Sequence, residues 1–133
     1  KKNTKFTYEK SFELLKLLLE HAENYKVILL YSPIEKEILE KLVLELNDEN
    51  LIYYNNSKTI FDSISIIKKM ELVISPDTSI VHISEGLKKR VIAFYTSSDN
   101  DFLKWKINDR NQMIRCSNIN NIDFKILMKE KLI

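Results

Sequence analysis

Glu71-Leu72-Val73-Ile74-Ser75-Pro76-Asp77-Thr78-Ser79-Ile80-Val81-His82-Ile83-Ser84-Glu85-Gly86-Leu87-Lys88-Lys89-Arg90-Val91-Ile92-Ala93-Phe94-Tyr95 decides the fold of this chain. Leu72–Ser75 is a short apolar run of buried-strand type. Pro76 and Asp77 turn the chain. The spacing predicts a helix over Thr78–Lys89. Val91–Tyr95 is again continuously apolar, as a strand buried on both faces requires. Strand, helix and strand in that order make a βαβ unit, whose two strands run parallel.

The same alternation continues on both sides. Thr7 is placed as an N-cap, followed by Phe12, Leu15, Leu19 and Ala22 at helical spacing, with Leu14 and Leu18 widening the stripe. Lys26–Tyr31 reads as a strand ended by Ser32-Pro33. Ile38, Leu39, Leu42, Val43 and Leu46 mark a second helix. Leu51–Tyr54 reads as a second strand. Thr59 and Asp62 have the spacing of a capping box, and Ile60, Phe61, Ile64 and Ile67 form the apolar face of a third helix. After Tyr95, the polar stretch 96–112 reads as a long loop anchored by Trp105. Met113–Cys116 is expected as an edge strand and Asp123–Leu132 as a last helix. The expected architecture is a single α/β domain over residues 1–133, a doubly wound, mainly parallel sheet. Ligands in such sheets bind outside the carboxyl ends of the strands.

Composition excludes several classes. The 133 residues are enough for one domain with its own core, and 44% are hydrophobic and 30% charged. Lys plus Arg number 21 against 19 Asp plus Glu, so the net charge is only +2, which argues against a nucleic-acid surface. One cysteine, Cys116, excludes an internal disulfide and a multi-cysteine metal site. One glycine, Gly86, excludes glycine-rich phosphate loops. Apolar runs such as Val27–Tyr31 fall far short of the ~20 residues that span a bilayer.

Chemistry concentrates where the third strand hands over to the fourth helix. The first turn of a helix carries N–H groups without internal partners, and the helix dipole favours an anion there. At about 100° per residue, Thr78, Ser79 and His82 fall within one sector, with Ile80, Ile83 and Leu87 opposite. Two hydroxyls and an imidazole are therefore expected on one exposed face, able to receive a diphosphate. Asp, Thr and Ser are also ordinary N-cap residues, so a plain cap is the competing reading.

Residues 71–95 resemble the signature of glycosyltransferase family nine, the lipopolysaccharide heptosyltransferases and their relatives. That pattern is a strand, then Asp-Thr-Gly-x-x-His, a small-residue helix, a Lys-Pro turn and another strand. Asp77, Thr78 and His82 match it. Ser79 stands at the usual glycine and Arg90 at the usual proline. Lys5 is similar to the family's donor-binding lysine, and Glu37 resembles its ribose-contacting glutamate. The resemblance implies a Rossmann-like domain equivalent to the C-terminal half of a GT-B glycosyltransferase. It implies binding of a nucleotide-diphosphate sugar through Asp77, Thr78, Ser79, His82, Lys5 and Glu37. The sugar, a heptose or a relative, would pass to a lipopolysaccharide or lipooligosaccharide core. No metal and no cofactor beyond the donor is expected. The location expected is cytoplasmic, peripheral at the inner face of the cytoplasmic membrane.

No region resembles the family's N-terminal acceptor domain, so that domain and its catalytic carboxylate are expected to be absent. Lys1–Phe6 is too short and polar for the strand that precedes this segment in the family. Rearrangement of the sheet, or a homo-oligomeric contact along exposed strand edges, is expected to compensate. The alternative is a non-catalytic, stand-alone domain that binds a nucleotide or a partner chain on a decayed transferase scaffold. A flavodoxin-like regulator with Asp77 as acceptor carboxylate fits the Asp-Thr-Ser-x-x-His spacing less well. Among other residues, His21 reads as a helix-end partner, Cys116 as a small core residue, and Tyr53, Tyr54, Phe94 and Tyr95 as core aromatics.

Overall fold

A computed structural model describes residues 5–21, 24–30, 35–54, 59–76, 78–96, 112–116, 119–129 and 133. The element order is α1 (Tyr8–Glu20), β1 (Val27–Leu30), α2 (Lys36–Leu46), β2 (Leu51–Tyr54), α3 (Ile60–Ile67), β3 (Leu72–Pro76), α4 (Ser79–Gly86), β4 (Arg90–Thr96) and β5 (Gln112–Cys116). A 3-10 turn (Ile119–Asn121) and a single-turn helix α5 (Ile126–Lys129) follow. The alternation of strand and helix is as the hydrophobic periods require. Every strand pair is parallel: β1 with β2, β3 with β4, and β4 with β5.

The strands form two hydrogen-bonded sheets, β1-β2 and β3-β4-β5, where a single sheet is expected from the sequence. The βαβ units β1-α2-β2 and β3-α4-β4 explain the pairs they join, because the chain must cross back before a parallel partner can pair, and the connection from β4 to β5 lies outside the described residues. No pairing between β2 and β3 occurs among the described residues, and α3 follows β2 in sequence and precedes β3. The chain divides accordingly into two compact units. One comprises Lys1–Phe6 and Thr59–Ile122, the other Thr7–Lys58 and Asp123–Ile133.

In the second unit, Leu15 of α1, Leu39 and Leu42 of α2 and Leu51 of β2 form a buried cluster, with Phe12, Leu29 and Tyr53 packed against it. Thr7 caps α1, its hydroxyl accepting from the Lys10 amide at 3.2 Å. His21 ends α1, its Nδ1 lying 2.8 Å from the Leu17 carbonyl oxygen, which is the helix-end role expected of it. Ile38 of α2 is exposed, not part of the buried stripe. In the first unit, Val73, Val91, Ile92, Phe94 and Tyr95 of the sheet are buried, with Val81 of α4. The core reading of Phe94 and Tyr95 therefore holds. The capping box of α3 is present on its carboxylate side, where the Thr59 amide donates to Asp62 Oδ2 at 3.0 Å. Ile60 and Phe61, expected in its apolar face, lie in the first turn and stay exposed, because only the far end of α3 is covered, at Ile67.

Two helix ends differ from expectation. α4 closes at Gly86, not Lys89, because Lys88 turns left-handed and reverses the chain. The last helix, expected over Asp123–Leu132, starts at Ile126, after a turn at Phe124 and Lys125, and residues 130–132 lie outside the described residues. Trp105 and the loop around it lie outside the described residues, as does the side chain of Cys116. No helix among the described residues is long and apolar enough to cross a membrane.

Candidate functional site

The turn that opens α4 is built from its two neighbouring elements. β3 ends with Ser75 and Pro76, registered opposite Ala93 and Phe94 of β4. Thr78 follows as the N-cap, in the extended conformation (φ −140°, ψ 176°) that lets its hydroxyl swing back over the first turn. Its Oγ1 accepts from the Ile80 amide at 3.3 Å, and its carbonyl accepts from the Val81 amide at 3.1 Å. Thr78 is thus the cap, and α4 begins one residue later than expected, at Ser79. The reason is local: a residue with an extended backbone cannot also be helical.

Behind Thr78 stands Ser75. Its Oγ donates to the Pro76 carbonyl at 2.8 Å and lies 3.1 Å from Thr78 Oγ1. Ser75 is 6% exposed. Sequence reasoning assigned it no role. The available signal was a hydroxyl at the end of an otherwise apolar strand, where only a local hydrogen bond makes burial tolerable.

Ser79 and His82 are both exposed and share the solvent face of α4 with Gly86. That part of the expectation holds. The buried face is rotated from the expected one: Val81 and Ser84 are fully buried, whereas Ile80, Ile83 and Leu87 are only half-buried. α4 packs on both β3 and β4. Seating a helix close on two strands favours small side chains at the contact, and Val81 and Ser84 supply them.

Lys5 is exposed and belongs to the same unit. Its carbonyl accepts from Asn120 Nδ2 at 3.2 Å, and the next ring, Phe6, meets Phe94 edge-on at 5.8 Å. Phe94 is the register partner of Pro76, so the segment carrying Lys5 is fastened to the strand that flanks the turn. Glu37 is exposed in the first turn of α2, in the other unit, where its charge complements the helix dipole. Asp77 lies outside the described residues. Thr78, Ser79 and His82 are therefore brought together on one turn of helix, with Lys5 in the same unit.

The second unit has its own polar feature, which sequence reasoning missed. Tyr8, Lys41 and Glu45 meet between α1 and α2, with Lys41 Nζ 4.6 Å from the centre of the Tyr8 ring. The Tyr8 hydroxyl is shut off from water and faces the Glu45 carboxylate without good hydrogen-bond geometry. Burial first, then Glu45, pushes its phenol up to about 12. Beside it an open cavity of about 330 Å³ is lined by Phe12, Lys16, Leu19, Glu20, Glu45, Leu46 and Asp48. No group of three or more His, Cys, Asp or Glu able to hold a metal ion occurs among the described residues.

Comparison with solved structures supports the same fold. E. coli heptosyltransferase WaaC with ADP superposes with a TM-score of 0.80 over 99% of this chain and 40% of its own, at 15% identity. E. coli ADP-heptose lipopolysaccharide heptosyltransferase II gives 0.76 over 97% of this chain and 41% of its own, at 18% identity. A protein of Escherichia coli (strain K12) that carries the name lipopolysaccharide heptosyltransferase 4 is 28% identical over 101 residues, covering 74% of this chain and 25% of that protein. The chain thus spans well under half the length of these relatives. The sequence pattern of glycosyltransferase family 9 (heptosyltransferase) matches residues 2–133. With the fold, the helix-opening turn and this match over nearly its whole length in agreement, the chain belongs to glycosyltransferase family 9, the heptosyltransferase family.

Proposed function

We propose that residues 1–133 are the donor-binding domain of a glycosyltransferase, equivalent to the C-terminal half of a GT-B enzyme. The reaction is transfer of a heptose or related sugar from a nucleotide-diphosphate donor to a lipopolysaccharide or lipooligosaccharide core. The observation that carries this reading is the exposed Ser79–His82 turn at the carboxyl end of β3, in a chain of this family. WaaC, whose fold this chain shares, has been solved with ADP and with ADP-2-deoxy-2-fluoro heptose.

In this reading the Ser79 amide and hydroxyl and the His82 imidazole receive the diphosphate, favoured by the dipole of α4. Thr78 and Asp77 shape the turn. Lys5, in the same unit as α4, adds a phosphate contact. Such preorganised donors also stabilise the departing nucleotide diphosphate. None of residues 1–133 acts as the catalytic base, which belongs with the acceptor. The reaction takes place on the cytoplasmic side, with the protein peripheral to the membrane. Among the described residues, β1, β2, β3 and β5 each pair on one side only, which suits contact with a second copy.

Calorimetric titration with ADP tests the reading. The folded chain should bind ADP, and His82→Ala should weaken binding about tenfold or more, the worth of one lost hydrogen bond to an anion. Thr78→Pro should abolish it, since proline cannot adopt the extended φ of the cap. Failure of the folded parent chain to bind ADP overturns the reading in favour of a non-catalytic, partner-binding domain.

A further inference from the structure

The three hydrogen bonds around Ser75 have only one consistent direction. The Ile80 amide can only donate, so Thr78 Oγ1 accepts from it at 3.3 Å. The Pro76 carbonyl can only accept, so the single Ser75 proton goes there, at 2.8 Å. The contact of 3.1 Å between the two hydroxyls must then use the Thr78 proton, donated to Ser75 Oγ. The chain runs from Ile80 N–H through Thr78 and Ser75 to the Pro76 carbonyl.

Two consequences follow. The Thr78 proton is committed inward and is not offered to a ligand while Ser75 holds it. The Thr78 rotamer that caps Ile80 is fixed from behind by a side chain more than nine-tenths buried. Among the described residues of the helix opening, Ser79 carries the exposed hydroxyl. Ser75 touches no ligand in this arrangement, and it determines which groups of the turn do.

We propose that Ser75 is a positioning residue for nucleotide-diphosphate recognition: through Thr78 it holds the first turn of α4 so that Ser79 and His82, rather than Thr78, meet the diphosphate. The proposal rests on the donor-binding reading given above. Its physical basis is separate from that reading, because the hydrogen-bond chain exists without a ligand.

The test uses Ser75→Ala, Thr78→Val and the double variant in the whole chain, with Ser75→Thr restoring the hydroxyl. Amide hydrogen exchange at Ile80 reads the cap directly, without ligand. Ser75→Ala should speed that exchange about fivefold or more, with the urea midpoint little changed and Ser75→Thr returning toward the parent. ADP titration reads the consequence. Ser75→Ala should weaken binding about tenfold, and the double variant should bind no more weakly than Thr78→Val alone, since both act through one hydroxyl. Unchanged Ile80 exchange in Ser75→Ala overturns the positioning role whether or not ADP binds. Additive losses in the double variant overturn it as well. A parent chain that protects Ile80 through Ser75 but binds no ADP overturns the donor-binding reading, and with it the ligand half of this proposal.

Discussion

The Lys89 amide donates to the Ser84 carbonyl at 2.9 Å, across a left-handed Lys88 at φ 59°. The Lys88 amide donates to Glu85 at 2.9 Å as well, so α4 ends in a Schellman motif. Glycine normally occupies the left-handed position, because a Cβ there crowds the following carbonyl. Here the chain's one glycine, Gly86, sits two residues early, with no positive φ and open space where a Cβ would stand. Lys88→Gly should therefore stabilise the chain by about 0.5–1 kcal/mol. Gly86→Ala should do so by a similar amount, ~0.5–1 kcal/mol. Urea unfolding of each variant measures the gain, and a loss in either contradicts this account of the helix end.

Ser84 presents a different imbalance. Its side chain is fully buried, and its hydroxyl has no hydrogen-bond partner among the described residues. An unsatisfied buried hydroxyl costs about 1–3 kcal/mol relative to a satisfied one. Ser84→Ala removes that oxygen and should raise stability by about 1 kcal/mol. Ser84→Val should lower it by about 1–3 kcal/mol, because α4 is seated close on β3 and β4. Thermal unfolding of the pair separates polarity from volume.

Alkaline pH should expose the Tyr8 environment. The folded state holds the Tyr8 proton more tightly than the unfolded state, with the phenol at about 12 against an ordinary 10.0. Stability from this group is therefore complete below pH 10.0 and is lost as pH rises towards about 12. Tyr8→Phe should flatten the fall in unfolding midpoint across that window. Ultraviolet titration of the parent should show one tyrosine ionising later than the rest, and that late phase should vanish in Tyr8→Phe. A parallel fall in both proteins would contradict the assignment.

Ser79 occupies the first helical position of α4 and is exposed. In the donor-binding reading its hydroxyl is a diphosphate contact. Ser79→Gly removes that hydroxyl and should weaken ADP binding a few-fold, and lower stability by about 0.5 kcal/mol through helix propensity. Titration and urea unfolding of the same variant measure both. Unchanged or stronger ADP binding by Ser79→Gly contradicts the hydroxyl contact.

Most of the element order was legible because strand and helix periods are local. Leu51–Tyr54 needs no partner to read as a strand, and Thr59 with Asp62 announces α3 within four positions. The candidate turn was legible for the same reason: a hydroxyl and an imidazole three residues apart on a helix share a face whatever surrounds them. Glu37 was legible only as a carboxylate in a first turn, and it lies in the other unit from α4.

What the sequence alone determined is the alternation of strands and helices, their parallel pairing and the exposed Ser79–His82 face, all set by periodicity and crossover length. What only tertiary structure decided is which side of α4 is buried, where α4 ends, the division into two sheets, and the bond between Ser75 and Thr78. Those depend on how closely helix and sheet approach, and on which buried hydroxyl finds an acceptor. Neither is a property of any residue in isolation.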